Sequence, residues 1–422
     1  MKFKAVMILL LLLSPIIAVF GETSVVIGHI STEIDGKTHR NALLNELRIY
    51  EGKRFESLAR LEDLVNSRAN DLLKRRLFKE FTWNINAENP EDIEIDIRIV
   101  DSFTLMPRPM LKFSTEKGLT LGLRLDYFNA FGTLTDQKFE GYWSPTEILF
   151  QVQVQEIILG PLHMDTSFKQ FNGKTRYGNT DGTTLIEYRN SSSELFISLD
   201  MPLGPGSPWS YRITPLASWL YQYDSATIFN YFPDSLFLNE GFTPGLNHGF
   251  VTDQVNWVGN FRKGYYFDFI NNNLWYTGSG NSDIFMESDL KGYLPLTSWF
   301  EISGRIGGFY AFEGQRKNAG DRLRGVVDYM TWGEWGNFIS IQANFKLFHA
   351  GNLFSLHLRP FTDIGYVYSE LWGDGPDAWE YCAGATAIFY FDALPSLSLN
   401  IDWGWDFKRN MPELIIDTVH FL

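Results

Sequence analysis

Cysteine is almost absent from the 422-residue sequence: Cys382 stands alone, so this chain can form neither an intramolecular disulfide nor a cysteine-based metal cluster. Because the residue lies in the strand-like run 381–384, we interpret it as a small apolar filler. Basic residues are also scarce, since 36 lysines and arginines stand against 50 aspartates and glutamates and give a formal net charge of −14. This balance argues against nucleic acid or a polyanionic surface as a partner.

Long apolar runs are lacking after the N-terminus, where the pattern is typical of an export signal. Lys2 and Lys4 precede the apolar run Val6–Leu13, and Gly21 offers a small residue for cleavage, so we expect a signal peptide at residues 1–21. The alternative is a membrane anchor, which needs about 20 apolar residues to span lipid. The run is shorter than that, and the sequence therefore predicts an exported mature chain without a membrane-spanning helix.

Catalytic motifs are lacking as well. The 7 histidines are scattered along the chain, and no Gly-x-Ser-x-Gly elbow occurs. The run Gly204–Pro208 is more simply a turn. We therefore expect no enzyme, no cofactor and no metal site, because no nucleophile and base are placed together.

Helical periodicity is confined to residues 22–101. The sequence predicts strands at 25–33, 78–85 and 93–100, and amphipathic helices at 40–48 and 58–76. In the last of these strands isoleucine alternates with Glu94, Asp96 and Arg98, which makes one face apolar. The order β-α-α-β-β indicates a small α/β domain with both helices on one face of its sheet.

Residues 102–422 alternate in strand-length segments instead. Apolar residues alternate with polar or small ones in the segments 119–126, 150–155, 354–359 and 397–407. At about 20 residues per strand and connection, this part gives about 16 strands. A soluble β-sandwich would alternate too, but this is too many strands for one sandwich. We therefore predict an all-β transmembrane barrel of about 16 antiparallel strands, with lipid outside and a polar lumen.

The connections of this predicted barrel differ in length. We expect a tight connection at Asn190–Ser192 and long loops, rich in glycine or asparagine, at 229–253 and 314–321. Aromatic residues make up 16% of the chain and are spread along it. Such a load is hard to bury in a soluble globule, whereas a membrane barrel places it in girdles at the two lipid interfaces.

Two charged residues in the barrel region indicate an ion pair. Arg324 and Asp363 lie within the train of strands, and a charge buried there needs a partner, so each residue predicts the other. Gly325 and Gly365 fit a close approach of backbones beside the pair. The alternative makes Arg324 a solvated loop charge and Asp363 a residue of the lumen wall.

The motifs around these residues resemble those of the BamA-like outer-membrane assembly and surface antigen family. Residues 34–38 with Gly36, 47–55 with Gly52 and 76–81 with Phe78 resemble the signature of a POTRA (polypeptide-transport-associated) domain. Residues 109–119 are similar to the start of the family's barrel, 322–326 to the motif of its sixth extracellular loop, and 361–365 to the strand motif that receives that loop.

The resemblance implies one periplasmic POTRA domain at 22–101 and a 16-stranded barrel at 102–422 in the bacterial outer membrane. It implies further that the loop with Arg324 folds into the lumen and that Arg324 pairs with Asp363. The chain departs from the family pattern in three places. Val326 replaces an aromatic residue, and Asn344 occupies a position that is acidic in many members. Residues 419–422 do not end in an aromatic residue.

The function implied is assembly or insertion of β-barrel proteins, or translocation of polypeptides. The POTRA domain would capture unfolded chains by strand addition, and a seam between the first barrel strand (near 111–115) and the last (413–422) would template new strands. The partners expected are the outer-membrane bilayer and unfolded or exported polypeptides, with accessory periplasmic proteins left open. Two alternatives remain: a two-partner-type secretion pore, and a passive channel or surface antigen.

Overall fold

The structure, a computed structural model, describes most of the chain between residues 24 and 420. Its description leaves out 75–76, 103, 116–117, 160–161, 179–183, 205–206, 223–226, 229–239, 314–316, 319–321, 327–330, 352, 369–378 and 392–396. The predicted signal peptide at 1–21 lies outside the described residues. The chain divides into two compact units, the first up to Phe103 together with Phe131–Leu134 and the second Thr104–Ala130 together with Thr135–Leu422.

The first unit is a four-stranded sheet with two helices. Its elements are β1 (Val25–Asp35), α1 (Arg40–Leu47), β2 (Arg54–Phe55), α2 (Leu58–Lys74), β3 (Phe78–Asn86) and β4 (Ile93–Asp101). The strand order is β2-β1-β4-β3, and β1 runs parallel to β4 while the other pairs are antiparallel. Strand β2 is an addition to the predicted elements, because two residues are too short for alternation to reveal.

The core of this unit lies between the helices and one face of β1 and β4. The isoleucines of β4 are buried while its charged residues between them are exposed, as the alternation predicted. Neither described helix combines the length and the apolar character that crossing a bilayer requires. The buried apolar residues that the helices and strands contribute include Ile27, Ile30, Leu43, Leu47, Leu61, Val65, Leu72, Ile93, Ile95, Ile97 and Ile99.

Three residues of the predicted POTRA signature lie at separate places in this unit. Gly36 follows β1 at a φ of 152°, and a Cβ there would lie 2.3 Å from Asp101 Cγ, so the close approach requires glycine. Gly52 has a φ of 86°, and a Cβ added to it would contact no other atom. Its backbone conformation alone therefore favours glycine. Phe78 is buried in the core at the start of β3 and packs against Phe81.

The second unit is a closed antiparallel barrel, which confirms the predicted fold. Among the described residues sixteen long strands form the barrel, and two short strands, β12 (Thr227–Ile228) and β14 (Asn256–Val258), join it. A further pair, β18 (Lys317–Asn318) and β19 (Trp332–Gly333), forms a separate two-stranded sheet. The long strands are β5 (Leu105–Ser114), β6 (Gly118–Tyr127), β7 (Asp136–Trp143), β8 (Glu147–Leu159), β9 (Leu162–Gly178), β10 (Thr184–Pro202), β11 (Ser210–Gln222), β13 (Gly241–Asp253), β15 (Phe261–Trp275), β16 (Ser282–Thr297), β17 (Phe300–Glu313), β20 (Trp335–Ala350), β21 (Phe354–Tyr368), β22 (Trp379–Phe391), β23 (Leu397–Asp406) and β24 (Met411–His420).

The side chains of the barrel alternate between an apolar outer face and a mixed inner face. In β6, Leu119, Leu121 and Leu123 are exposed on the outside, and Thr120 between them is buried. In β21 the order is the same, with Ile364 exposed and Asp363 buried beside it. Because alternate residues of a strand point to opposite faces, the inner face of β21 carries Phe361, Asp363, Gly365 and Val367.

Two predicted connections are wrong. Asn190–Ser192 lies inside β10, where polar residues are suited to the inner face: Ser191 Oγ donates a hydrogen bond to Phe171 O at 3.0 Å. The predicted long loop at 229–253 contains β13, in which Gly249 is needed because a Cβ would lie 1.8 Å from Phe269 O of β15. Residues 229–239 lie outside the described residues, as do parts of 314–321 around β18.

Candidate functional site

Residues 322–326, which we name the lumen segment, lie against the inner faces of β20 to β23. They belong to the connection between β17 and β20, the sixth of the connections at that end of the barrel. Val326 N donates a hydrogen bond to Leu323 O at 3.3 Å, which closes a turn and places Arg324 at its tip. The turn presents one cation to the wall of strands.

The structure brings Arg324 and Asp363 together. Arg324 Nη2 donates to Asp363 Oδ1 at 2.7 Å, and Arg324 Nε donates to Asp363 Oδ2 at 3.1 Å, so the contact is bidentate. The backbone N of Arg324 adds a third hydrogen bond to Asp363 Oδ2 at 2.8 Å. Asp363 is 0% exposed, whereas Arg324 keeps 28% of its side chain accessible. The pair therefore fixes both the side chain and the backbone of the segment to β21.

Two further side chains hold the guanidinium group. Its Cζ atom lies 3.9 Å from the centre of the Phe361 ring, within range of a cation–π contact. Arg324 Nη1 also donates to Gln342 Oε1 on β20, and Gln342 Nε2 donates in turn to Ser303 Oγ on β17 at 2.9 Å. One arginine thus links the inner faces of three neighbouring strands.

Glycines allow the segment to lie directly on the barrel wall. Gly325 has a φ of 101°, and a Cβ on it would lie 3.0 Å from Gly404 Cα on β23. A Cβ on Gly404 would lie 2.6 Å from Gly325 Cα, so both positions require glycine for the backbones to touch. A Cβ on Gly365 would lie 2.7 Å from Leu323 Cδ1. Gly404 has the same role as the two predicted glycines, but it lies outside the motifs and was missed.

A small apolar cluster seals the other side of the segment. Leu323, Val326, Phe338 and Cys382 are each at most 2% exposed and pack together. Val326, where the related motifs have an aromatic residue, is therefore a core residue of this cluster. Cys382 is buried in it, and its Sγ also lies 3.9 Å from Asp363 Oδ2, so the thiol has a polar contact that the interpretation as an apolar filler did not include.

Asn344 does not take part in the contacts of Arg324 that the structure describes. Its Oδ1 lies 3.1 Å from His357 Nδ1, in a buried pair between β20 and β21. Gln342, two residues earlier and on the same face, contacts Arg324 instead. The sequence analysis named no role for Gln342, because nothing in the sequence shows which polar residue of β20 lies beside Arg324.

The barrel closes through a seam between its first strand, β5, and its last, β24. Only three residue pairs are in register among the described residues of this seam, Lys112–Asp417, Phe113–Ile416 and Ser114–Ile415. On the other sides of the same strands, β5 pairs with β6 from Leu105 to Ser114, and β24 pairs with β23 along its whole length. The closing pair is therefore shorter than either neighbouring pair, at the place where the resemblance implied a seam.

Beyond these pairs a side chain replaces the backbone ladder. Leu111 N donates to Thr418 Oγ1 at 3.0 Å, in a position where a regular ladder would use a carbonyl oxygen. On the other side Thr115 N donates to Leu414 O at 3.2 Å. The hydrogen-bonded part of the seam thus runs from Leu111 in β5 to Thr115, the residue that follows the strand.

Solved structures share the fold of this chain. A BamA structure from Haemophilus ducreyi that lacks POTRA domains 1–3 matches with 14% sequence identity and a TM-score of 0.64, over 94% of this chain and 84% of that one. CdiB from Acinetobacter baumannii matches with 13% identity and a TM-score of 0.65, over 94% and 74% of the two chains. The chain has the fold of BamA and CdiB.

CdiB from Escherichia coli shares this fold at 9% identity and a TM-score of 0.60, over 97% of this chain and 93% of that one. No protein-family model matches the sequence. No curated protein matches it either. At these identities the BamA–CdiB fold is what the likeness establishes, and function has to be argued from the residues of this chain.

Prolines lie on both strands of the seam of this barrel. The backbone N–H groups of Leu111 and Thr115 point toward β24, so odd-numbered residues of β5 direct their nitrogens into the seam. Pro107 and Pro109 are also odd-numbered, so their nitrogens face β24 too, but a proline nitrogen has no hydrogen to donate. On β24 the carbonyl oxygen of Leu414 faces β5, and Pro412, two residues earlier, directs its backbone the same way. The prolines thus flank the hydrogen-bonded part of the seam, and the sequence alone did not reveal which way they face.

Proposed function

We propose that the protein is an outer-membrane factor that inserts β-barrel proteins or translocates polypeptides, without enzymatic activity. The observation that carries the proposal is the seam: a closed barrel whose first and last strands pair over three described positions, next to an interior that the lumen segment holds firmly. A barrel used only as a static pore gains nothing from a weak closure. A barrel that templates strands needs one.

Opening of the seam would present the backbone of β5 between Leu111 and Thr115 to an incoming chain. A nascent strand would then satisfy its own N–H and C=O groups by pairing with β5 before it meets lipid, where each bare group costs several kcal/mol. Recognition through the backbone is tolerant of sequence. The outer face of the barrel, with exposed Leu111, Leu119, Leu121 and Leu123 near the seam, supports placement in a bilayer.

Residues 22–101 serve as a periplasmic POTRA domain in this proposal. Their sheet ends in β3, whose outer edge has no strand partner among the described residues. An edge of nine residues, Phe78–Asn86, can accept an extended peptide by strand addition. The fold matches support this assignment, since coverage of 94% of the chain extends beyond the barrel into the first unit.

The second candidate function is a secretion pore of the two-partner type. It is favoured by the likeness to CdiB, which is a two-partner secretion pore, whereas BamA is a barrel insertase. The two roles differ in the path of the polypeptide: the insertase delivers it sideways through the seam, and the pore passes it along the lumen. The lumen segment lies across part of that interior, which favours the sideways route for this chain.

Reconstitution in liposomes tests the proposal. The refolded protein should accelerate insertion of an unfolded β-barrel substrate over protein-free liposomes, scored by protease protection and heat-modifiable gel mobility. A variant that lacks residues 22–101 should lose most of the acceleration, because it can no longer collect the substrate. Ion conductance with no acceleration, from protein that is folded by the same gel assay, would refute insertion and select the pore or a passive channel.

A further inference from the structure

We infer that the barrel interior holds a binding site for a phosphate-type oxyanion beside the lumen segment. A cavity of about 200 Å³ lies between this segment and β16, β17 and β20. Four cationic side chains line it, together with the hydroxyl groups of two serines: Lys291, Arg305, Arg322, Arg324, Ser303 and Ser340. Neither the proposed insertion of polypeptides nor secretion requires such a site.

The cations around the cavity are paired with carboxylates among the described residues. Asp289 serves two of the cations, since it accepts from Arg305 Nη2 at 2.6 Å and lies 3.3 Å from Lys291 Nζ. Glu287 pairs with Arg322 at 3.2 Å, and Asp363 pairs with Arg324. Among the described residues these four cations contact three carboxylates, and Asp268, opposite Asp289 on β15, adds a fourth negative charge close enough to act on Lys291.

The carboxylates also lie behind the cations rather than in the cavity wall. Asp289, Glu287 and Asp363 do not line the cavity, whereas all four of their cationic partners do. Glu301 does not line the cavity either, and it accepts a hydrogen bond from Ser303 Oγ at 3.4 Å and one from the backbone N of Arg262 at 2.6 Å. The surface that a ligand would meet is consequently cationic and rich in hydrogen-bond donors.

The cations are held in place but remain accessible. Arg305 is bound to Asp289 through two nitrogens and lies 4.8 Å from the centre of the Phe338 ring, and Arg322 lies 5.9 Å from the same ring. Contacts of this kind fix the planes of the guanidinium groups before a ligand arrives. Between 25% and 33% of Lys291, Arg305, Arg322 and Arg324 stays exposed to the lumen. Donors therefore remain for an anion.

The chemistry of the site selects the ligand class. Guanidinium groups held in fixed planes match a tetrahedral phosphate better than a monovalent halide, because an oxyanion offers several acceptor atoms to donors in different positions. At about 30 Å³ for each water, the cavity holds a phosphate group with part of its hydration shell. The group can come from free phosphate or from the headgroup of a phosphomonoester lipid.

Binding is tested on the refolded full-length protein in detergent. Titration with inorganic phosphate at constant ionic strength, with chloride as the exchanged anion, should give a saturable rise in the midpoint of thermal unfolding, because the ligand binds the folded barrel alone. Short-chain phosphatidic acid forms the second arm. Saturable binding of either probe supports the site, and binding of the lipid alone assigns the headgroup as the source.

Matched variants decide whether the cavity is responsible. Lys291→Gln should weaken the binding of phosphate about tenfold. The change removes a charged donor, while Arg305 still pairs with Asp289. Lys169→Gln is the control: Lys169 is also 33% exposed and lies 3.5 Å from Glu194, but it belongs to β9 and does not line the cavity. The inference is overturned if neither probe exceeds chloride, or if Lys291→Gln and Lys169→Gln bind phosphate like the unchanged protein. Gel mobility shows that each variant is folded.

Discussion

A disulfide between residues 113 and 416 is expected to reduce the rate of substrate insertion to that of protein-free liposomes. Phe113 and Ile416 are directly opposite each other in the seam, so cysteines at both positions can be bridged without movement of the backbone. Such a bridge keeps β5 and β24 paired, and an incoming strand then has no edge to join. The measurement is the insertion assay on oxidised and reduced protein, in a Cys382→Ala background.

The matched control is a disulfide between residues 113 and 119. Phe113 is also directly opposite Leu119, on the neighbouring strand β6, so this bridge places a covalent link of the same kind on the other side of β5. It should leave the insertion rate unchanged, and reduction should restore activity to the 113–416 protein. Full activity of the oxidised 113–416 protein would mean that insertion does not use the seam.

Arg324→Ala is expected to lower the free energy of unfolding by about 3–5 kcal/mol, because it leaves the charge of a fully buried Asp363 without its partner. Arg324→Lys should recover only part of the loss, since an ammonium group cannot make the two parallel hydrogen bonds or the planar contact with Phe361. The measurement is urea unfolding of the refolded barrel, followed by gel mobility.

Two further variants show whether the loss comes from the pair. Removing Asp363 as well, in Arg324→Ala with Asp363→Ala, should cost less than the sum of the single changes. Arg176→Ala is the control, because Arg176 is similarly exposed, and its partner Glu187 keeps Lys174 at 2.6 Å. The control should cost under about 1 kcal/mol, because Glu187 is 21% exposed and keeps Lys174 as a partner. Equal losses for Arg324→Ala and Arg176→Ala would contradict a special role for the Arg324–Asp363 pair.

Sequence patterns were most informative where one face of an element is apolar. The alternation in β4, β6 and β23 indicated strands because burial against a core or lipid imposes a period of two residues. The pattern failed at Asn190–Ser192, where three polar residues resemble a turn, although the interior of a barrel accepts polar side chains at alternate positions. Local composition does not distinguish a polar lumen from solvent.

The candidate site could be predicted only where a residue has a strong physical need. A charge inside a strand train needs a partner, and this pointed to Arg324 and Asp363. An amide or a glycine in a strand does not by itself require a partner. Gln342 and Gly404 have their roles because the strand arrangement places them beside the lumen segment. Whether Pro107 and Pro109 face β24 or β6 likewise depends on which alternate residues of β5 bond to each neighbour, and only the folded sheet shows this.

The seam is best tested by locating the substrate during insertion. A photoreactive residue in place of Phe113, which lies in the hydrogen-bonded part of the seam, should form a covalent adduct with the terminal strand of a substrate arrested during insertion. The same residue in place of Leu123, on the lipid-facing side of β6, should form none above background. Adducts of equal yield at both positions, or at Leu123 alone, would contradict templating by the seam.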